Sequence, residues 1–383
     1  MVIQGRRIWL AGQFMEAQLV IRDGKIESVL PYNTHPAEKD WGNKRVLPGF
    51  LDIHTHGAYG FDTNDGEPEG LRNWIKRLPE EGVTAFLPTT VTGEKEVLVK
   101  ALKNVAAVAE EGCAGAEILG IHLEGPYLAS AYRGAQPEGA IVKASVEEFK
   151  EYQSVSKGMI RYVTLAPECD EGFALTKYCT KTGVAVSMGH SGASYEQAVM
   201  AVANGAVSMT HVYNGMTGYH HRKPGMVGAA FRLRDLYGEV ICDGIHSHPA
   251  ALNNFFQAKG RNYGIMVSDS LEAKGCPPGG SYSLGGQQVE LDAQGTARIA
   301  GAETIAGSTL KINEGLRILV EEAMVPFDVA VNSCTVNPAR CIGIDRRKGK
   351  LAAGYDADLV VLEDDYSVVE TYCRGEKSRG RDL

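Results

Sequence analysis

The stretch "GFLDIHTHGAYG", residues 49–60, places two histidines one residue apart at the end of an apolar run. Alternate residues of a strand point to the same face, so His54 and His56 converge where the strand gives way to a glycine-containing loop. Two polar residues at the end of an ordinary strand would give the same pattern. The stretch therefore predicts a strand and raises the question of a metal site.

The bulk composition is that of a folded globular protein. The chain has 383 residues, enough for one large domain and a smaller one, and 44% of them are hydrophobic and 22% charged. The net charge of -8 argues against a general nucleic-acid surface, although a local basic cluster could still bind an anionic small molecule.

The eight cysteines and the amino-terminal residues bear on the compartment. No two cysteines form a C-x-x-C pair and their spacing is irregular, so neither a disulfide framework nor a zinc finger is predicted. The start, "MVIQGRRIWLAGQF", has no signal-peptide pattern, and no transmembrane run follows. We expect a cytoplasmic protein without a membrane partner.

The middle of the chain contains eight near-continuous apolar runs, as expected of parallel strands buried on both faces. They are RVLPGFLDIH, GVTAFLPTTV, EILGIHLEGP, IRYVTLAPE, GVAVSMGHS, AVSMTHVYN, YGEVICDGIH and YGIMVSDS. Helix-compatible stretches such as EKEVLVKALKNVAAVAEEG and SYEQAVMAVANG lie between many of them. Eight such units predict an α/β protein with a (β/α)8 TIM barrel, and a doubly wound sheet remains the structural alternative.

The two ends of the chain have a different pattern. Residues 8–30 alternate apolar runs with glycine-containing turns, and "RDGK" carries an Asp-Gly hairpin signal. Residues 349–376 again indicate strand, turn and strand. We therefore predict a small β-sandwich domain built from residues 1–46 and 345–383, and a catalytic barrel domain of residues 47–344.

The candidate metal ligands come directly after the predicted strands. In a barrel, the catalytic groups lie at these carboxyl-terminal strand ends. Five of the ten histidines fall there. Each one alone could be a hydrogen-bonded barrel residue, as we expect for His122, but the set indicates Zn²⁺, Fe²⁺ or Mn²⁺. The polar residues at these ends are His54, His56, Glu124, His190, His211, Asp243, His246 and Asp269.

Four of these imidazoles and two carboxylates exceed what one catalytic cation needs. Two cations that share a carboxylate, roughly 3.5–4 Å apart, would use them all. Glu124 lies between the two histidine groups in strand order and is the natural bridge.

Several motifs resemble those of the amidohydrolase superfamily and, within it, the N-acetylglucosamine-6-phosphate deacetylase family. The resemblance covers nearly the whole chain and implies hydrolysis of the acetamide of N-acetyl-D-glucosamine 6-phosphate to D-glucosamine 6-phosphate and acetate, in amino-sugar catabolism. The motifs are PGFLDIHTHG, HLEGPYL, GHSGA, THVYNGM, RKPGMVGA, DGIH, VSDS and AGSTL.

The resemblance also implies roles for the candidate ligands. It makes Glu124, His190 and His211 ligands of an always-present metal, and it makes His54 and His56 ligands of a second metal with Asp269 nearby. Some family members lack the two paired histidines and bind one metal, so one or two divalent cations per chain are expected. Asp269 matches the catalytic acid and base.

Substrate contacts are implied in the same way. Gln136 replaces a histidine that some members use on the substrate carbonyl, Gly215 replaces a usual alanine, and Arg222 matches an arginine that reaches a neighbouring subunit's phosphate, so a homodimer is expected. His220, His221 and Lys223 are interpreted as solvated neighbours. The implied substrate-binding residues are Ala135, Gln136, Asn214, Gly215, Arg222, His246, Ile305, Ala306 and Gly307.

Three other functions stay open at this point. A related deacetylase could act on another N-acylated sugar phosphate, such as N-acetylgalactosamine 6-phosphate. Hydantoinase-like and dihydroorotase-like members usually bridge their metals with a carboxylated lysine after the fourth strand, where this chain has "TLAPE". A non-catalytic scaffold would typically have lost ligands, and none of the candidates is missing here.

Overall fold

A computed structural model describes residues 1–112, 114–293 and 295–378. Each of the eight apolar runs contains a strand, which confirms the predicted order. The barrel strands, numbered β1 to β8, are Phe50–Thr55, Val83–Thr90, Ile121–Glu124, Ile160–Leu165, Ala185–Met188, Ser208–Met209, Gly238–Ile241 and Gly264–Val267.

These strands form a closed parallel ring. Strands β1 to β6 pair in sequence order, and β7 pairs with β8. The amide of Met209 donates to Tyr237 O at 3.1 Å between β6 and the start of β7. The amide of Asp269 donates to His54 O at 2.9 Å between the end of β8 and β1. Closure confirms the (β/α)8 barrel and excludes the open doubly wound sheet.

The described residues contain ten α-helices, which follow the strands or close the barrel. The two stretches predicted as helical contain α2 and α5, and Ser194 caps α5 in a box with Gln197. The helices α1 to α10 are Pro68–Arg77, Lys95–Glu111, Val146–Val155, Ala174–Thr182, Tyr195–Ala203, Gly225–Arg232, Pro249–Tyr263, Ile312–Arg317, Phe327–Ser333 and Val336–Cys341.

Within the described residues, strands from both ends of the chain form one eight-stranded sheet. The sheet curls until Lys25 bridges Asp356, and it packs on an apolar core of its own that includes Ile8, Leu19 and Leu359. The domain boundaries at 46/47 and 344/345 stay a prediction, and residues 379–383 lie outside the described chain. The strands are Val2–Leu10, Gln13–Arg22, Lys25–Pro31, Lys39–Asp40, Arg45–Pro48, Leu359–Leu362, Val368–Cys373 and Glu376–Lys377.

A three-stranded antiparallel sheet follows β8 and was not expected from the sequence. Its strands are Tyr282–Leu284, Gln287–Leu291 and Ala297–Ile299. Its apolar side chains pack with Val91 and Ala306 in a separate small core, against which Ala135 also lies. The sheet therefore joins two loops that carry predicted substrate contacts.

The remaining expectations concern cysteines and membranes. The seven described cysteines are all free thiols, as the irregular spacing predicted, and Cys113 lies outside the described residues. Within the described part of the chain, no helix has both the length and the apolar character that a membrane span requires.

Candidate active site

Six predicted ligands meet at the carboxyl-terminal ends of the barrel strands. They fall into two groups, and within each group the ligand atoms all lie within 4.8 Å of one another. One group consists of His54, His56 and Asp269, and the other of Glu124, His190 and His211. All six are buried. The two groups coincide with the two ligand sets that the resemblance implied, and the role of these residues as metal ligands stays a prediction.

Glu124, at the end of β3, lies between the two groups. Its Oε1 atom is 3.3 Å from the Nε2 atoms of His54, His190 and His211. Its Oε2 atom is 3.3 Å from Nε2 of His56. One carboxylate thus faces all four imidazoles, which is the position that a bridging ligand requires.

Asp269 follows β8, the neighbour of β1 in the closed ring. Its Oδ1 atom lies 3.1 Å from Nε2 of His56 and 3.5 Å from Nε2 of His54. Burial raises the pKa of Asp269, but the positive charge of the His54 and His56 rings, when both nitrogens of each ring are protonated, outweighs burial and brings that pKa to about 2. The side chain is therefore a carboxylate near neutral pH, able to accept a proton.

The four imidazoles are oriented by their other ring nitrogen. Each Nδ1 atom lies near an oxygen that can only accept, so Nδ1 carries the proton and Nε2 presents its lone pair to the cluster. The partners are Glu239 Oε2 for His54 at 2.9 Å, Thr89 O for His56 at 3.3 Å, Tyr132 O for His190 at 3.0 Å and Asn214 O for His211 at 3.1 Å.

The donor set fits a divalent cation. The Nε2 atoms of His190 and His211 are 3.1 Å apart although both are acceptors in these tautomers. Nε2 of His54 and Oε1 of Glu124 are buried without a hydrogen-bond partner. Unsatisfied buried polar atoms are costly, and cations bound by imidazole and carboxylate would satisfy all of these.

The backbone of three candidate ligands is strained. His190, His211 and Asp269 have φ values of 47°, 27° and 48°. Positive φ is uncommon for residues other than glycine and tends to persist at functional sites, where the surrounding structure enforces it. In this barrel the strain falls at the residues that follow β5, β6 and β8 and aims their side chains into the cluster.

Two further histidines of the barrel, His122 and His246, were not predicted to be metal ligands, and they lie in different surroundings. His122 is fully buried, with its ring nitrogens next to Ile53 O at 3.1 Å and Thr164 Oγ1 at 2.8 Å, so it belongs to the core. His246, after β7, contacts Asp243 at 2.6 Å and lines a 280 Å³ cavity together with Gly307. Burial lowers the pKa of His246, but the hydrogen bond and the charge of Asp243 raise it by more. The pKa of His246 therefore lies above its ordinary value.

The loop after β3 brings Gln136 to a metal ligand. Its side-chain nitrogen donates to Glu124 Oε2 at 2.6 Å, and its side-chain oxygen accepts from the amide of Thr92 at 2.8 Å. The carbonyl of Ala135 accepts from Gln287 in the unexpected three-stranded sheet. Gln136 was predicted as a substrate contact, and the structure places its amide on Glu124.

Asn214 and Gly215 follow His211 in the loop after β6. The buried Nδ2 atom of Asn214 has no partner among the described residues and is available to a ligand. Gly215 has a φ of 58°, and a Cβ there would lie 2.9 Å from His190 Nδ1. An alanine at this position would therefore meet both an unfavourable φ and the ring of His190.

The other predicted contacts divide into near and distant ones. Ala306 is buried in the small core. A Cβ added at Gly307 would lie 3.0 Å from Asp269 O, so the Gly307 backbone is close to the cluster. Ile305 is half-buried between Ala306 and the three-stranded sheet. Arg222 is exposed, and no hydrogen bond or ion pair among the described residues joins it to another candidate site residue.

Glu239 was missed by sequence reasoning. It lies inside β7, two residues before the strand ends, and contacts His54. The available signal was a single acidic residue within the apolar run "YGEVICDGIH".

Fold and site together define a class of protein, namely barrel enzymes whose strand ends hold groups suited to a divalent cation. A family model described as "Amidohydrolase family" matches residues 45–377. The chain belongs to the amidohydrolase family.

Individual relatives are similar over nearly their full length. N-acetylglucosamine-6-phosphate deacetylase of Bacillus subtilis (strain 168) is 42% identical, with 93% of this chain and 91% of the relative covered. N-acetylgalactosamine-6-phosphate deacetylase of Escherichia coli O157:H7 is 34% identical, with 98% of each covered. A structure of N-acetyl-D-glucosamine-6-phosphate deacetylase from Mycobacterium smegmatis in complex with N-acetyl-D-glucosamine-6-phosphate has a TM-score of 0.93 and 30% identity, with 99% of each chain covered.

Proposed function

We propose that this enzyme hydrolyses the acetamide of N-acetyl-D-glucosamine 6-phosphate and releases D-glucosamine 6-phosphate and acetate. The observation that carries the proposal is the placement of Asp269 beside the paired histidines, in a chain 42% identical to a deacetylase of that substrate.

The proposed cofactor is a divalent metal, with up to two cations per chain. Glu124, His190 and His211 would hold the first, and His54 and His56 the second, with Asp269 beside it and Glu124 shared. Imidazole and carboxylate donors suit Zn²⁺ and Fe²⁺ best, and Mn²⁺ is a further candidate.

Asp269 has the geometry and charge of the proton carrier. A divalent cation supplies two things when bound, a lowered pKa of water and a polarised amide carbonyl. The Asp269 carboxylate accepts the proton of the attacking water and later donates it to the departing sugar nitrogen as the carbon–nitrogen bond breaks.

Substrate binding is assigned to the loops around the cluster. The unpartnered amide of Asn214 is available to a phosphate or hydroxyl oxygen, and His246, in the loop after β7, is a further candidate contact to the sugar or phosphate. Ile305, Ala306 and Gly307 would form a wall of the sugar pocket, and Ala135, which packs against the same small core as Ala306, would lie at the N-acetyl end. Gln136 cannot carry a positive charge, so oxyanion stabilisation would rest on the cations rather than on this residue.

Arg222 is proposed to reach the 6-phosphate bound in a neighbouring subunit of a homodimer. It is exposed, and its guanidinium contacts only His221 among the described side chains. Arginine offers a planar fork that matches phosphate oxygens, which an acidic protein needs locally for a dianionic substrate. We also propose that the enzyme acts in the cytoplasm, where sugar phosphates are metabolised.

N-acetyl-D-galactosamine 6-phosphate is the second candidate substrate. The specific observation in its favour is the 34% identity to a deacetylase of that compound over 98% of both chains. The two substrates differ only in the configuration of one hydroxyl group. Acetate release should therefore be measured on both 6-phosphates and on unphosphorylated N-acetylglucosamine, at equal concentration and with metal-loaded enzyme.

The expected result is the highest kcat/KM on N-acetylglucosamine 6-phosphate and very little on the unphosphorylated sugar. A preference for the galactosamine compound would transfer the function to the second candidate. Release of acetate from none of these sugars would overturn both candidates.

A further inference from the structure

Glu239 is a carboxylate buried inside the barrel rather than at the end of a strand. Its side chain is fully excluded from solvent, and its Oε2 atom lies 2.9 Å from Nδ1 of His54. Among the described residues its Oε1 atom has no hydrogen-bond partner within 3.5 Å, and the buried hydroxyl of Tyr162 is the neutral polar group that faces the carboxylate. Such a carboxylate is costly to bury without a counter-charge, so its place in β7 calls for a physical reason.

The contact with His54 is different in kind from the other three imidazole contacts. His56, His190 and His211 donate their Nδ1–H to backbone carbonyls, and His54 alone donates to a carboxylate. A hydrogen bond to an ionised acceptor is shorter and stronger than one to a neutral carbonyl. A carboxylate partner also makes the far nitrogen of the ring a better metal donor.

The charges around Glu239 point the same way. No lysine or arginine among the described residues forms an ion pair with it, and its one ion-pair contact is with His54. Glu124 and Asp269 add two more buried carboxylates on the other side of the same ring. A single divalent cation would leave the three carboxylates with a net negative charge, whereas a second cation at Nε2 of His54 would compensate Glu239 through the imidazole.

We propose that Glu239 is a positioning residue that controls the second metal position. It holds His54 in the Nδ1–H tautomer and strengthens Nε2 as a donor, so cation binding at His54, His56 and Asp269 depends on it. At the other position, His190 and His211 donate their Nδ1–H to backbone carbonyls, so cation binding there does not depend on Glu239. This inference rests on the proposed metal-dependent function and adds a device that sets how many cations the enzyme holds.

The test is a Zn²⁺ titration of metal-free protein, wild type against Glu239→Gln. The substitution keeps the size of the side chain and removes its charge. We expect two Zn²⁺ per wild-type chain. In the variant, the first Zn²⁺ should bind with unchanged affinity and the second about 10- to 100-fold more weakly, the usual effect of losing a carboxylate partner of a ligating histidine.

Asp52→Asn is the matched control. Asp52 is also a fully buried carboxylate of the barrel interior; its side chain accepts from Ser268 and, at 3.4 Å, from the backbone amide of His54, but it contacts no imidazole ring. It should bind both cations as the wild type does. Glu239→Asp keeps the charge on a shorter side chain and should recover part of the second affinity.

The outcomes separate the inference from the function on which it rests. Wild-type protein that binds no Zn²⁺ contradicts the proposed function itself. If Glu239→Gln binds both Zn²⁺ ions as tightly as the wild type does, only the role of Glu239 is overturned. The same conclusion follows if the variant loses affinity equally at both sites.

A second measurement needs no variant of Glu239 and covers the case in which that variant does not fold. In Zn²⁺-loaded wild-type protein labelled with ¹⁵N-histidine, the Nδ1–H proton of His54 should resonate further downfield than those of the other three ligating histidines. Its assignment comes from its loss in His54→Gln. A His54 ring whose Nδ1 carries no proton would overturn the inference.

Discussion

The side-chain amide of Gln136 donates a hydrogen bond to Oε2 of Glu124 at 2.6 Å, while its oxygen accepts from the amide of Thr92. The position was expected to serve the substrate, yet here its amide orients the carboxylate that faces all four imidazoles. Gln136→Leu removes both hydrogen bonds, so cation affinity should fall by about 10- to 100-fold, measured with a competing chelator.

Gln136→His is the control for this prediction, because histidine can still donate to Glu124. It should hold its cations much more tightly than Gln136→Leu. A Gln136→Leu variant with unchanged cation affinity and only a raised KM would return the residue to a direct role in substrate binding.

The paired histidines should determine the number of cations. The double variant His54→Gln with His56→Asn should retain one cation, held by Glu124, His190 and His211, together with some activity. Elemental analysis after reloading with excess Zn²⁺ or Fe²⁺ checks this. Wild-type protein that never exceeds one cation per chain would contradict the two-site arrangement.

Asp269→Asn should abolish most turnover and spare substrate binding. The change keeps the shape of the side chain and removes its ability to carry a proton, an effect of roughly 10²- to 10⁴-fold. Rapid-quench kinetics give the turnover, and calorimetry on the inactive variant gives the affinity. Near-normal turnover would remove Asp269 from its proposed role.

Arg222→Ala should lower kcat/KM for the phosphorylated sugar by roughly 10- to 150-fold for each charged hydrogen bond lost. The weak rate on unphosphorylated N-acetylglucosamine should hardly change. An equal loss on both sugars would make Arg222 structural.

The same variant tests whether the site is shared between subunits. Mixed dimers of Arg222→Ala and Asp269→Asn chains should regain activity, since one of their two sites combines an intact Asp269 with the partner's intact Arg222. A loss confined to the phosphorylated sugar without rescue would keep the contact and reject sharing.

A buried ion pair should stabilise the loop that carries Asp269. Nζ of Lys274 lies 2.8 Å from Oε1 of Glu81, and both side chains are fully buried. Lys274→Met would leave the Glu81 charge uncompensated, at a cost of about 3–5 kcal/mol in the free energy of unfolding, measured by urea titration. Lys100→Met breaks an exposed pair with Glu67 and should cost about 1 kcal/mol or less. Equal small effects would contradict this account of the loop.

The sequence was most informative where chemistry coincides with strand ends. His54, Glu124, His190, His211 and Asp269 could be found because polar residues interrupt apolar runs at the point where parallel strands meet a common rim. The terminal strands were recognised from alternation and turn residues.

Other features depended on contacts between distant parts of the chain. The bond between Gln136 and Glu124 joins a loop to a strand, and the bond between Glu239 and His54 spans 185 residues. The three-stranded sheet after β8 was not predicted from the sequence, because its strands are short and pack on loops rather than on the main core. The position of Arg222 relative to a partner is likewise not encoded in local sequence.

The six-residue cluster is proposed to perform metal-dependent deacetylation of an N-acetylhexosamine 6-phosphate. The most direct measurement is acetate release from N-acetylglucosamine 6-phosphate by metal-free enzyme as Zn²⁺ or Fe²⁺ is added back. We predict almost no acetate without metal, and a rate that rises with added cation until the sites are filled. Metal-free protein that releases acetate as fast as the loaded enzyme, or loaded protein that releases none, would contradict the account.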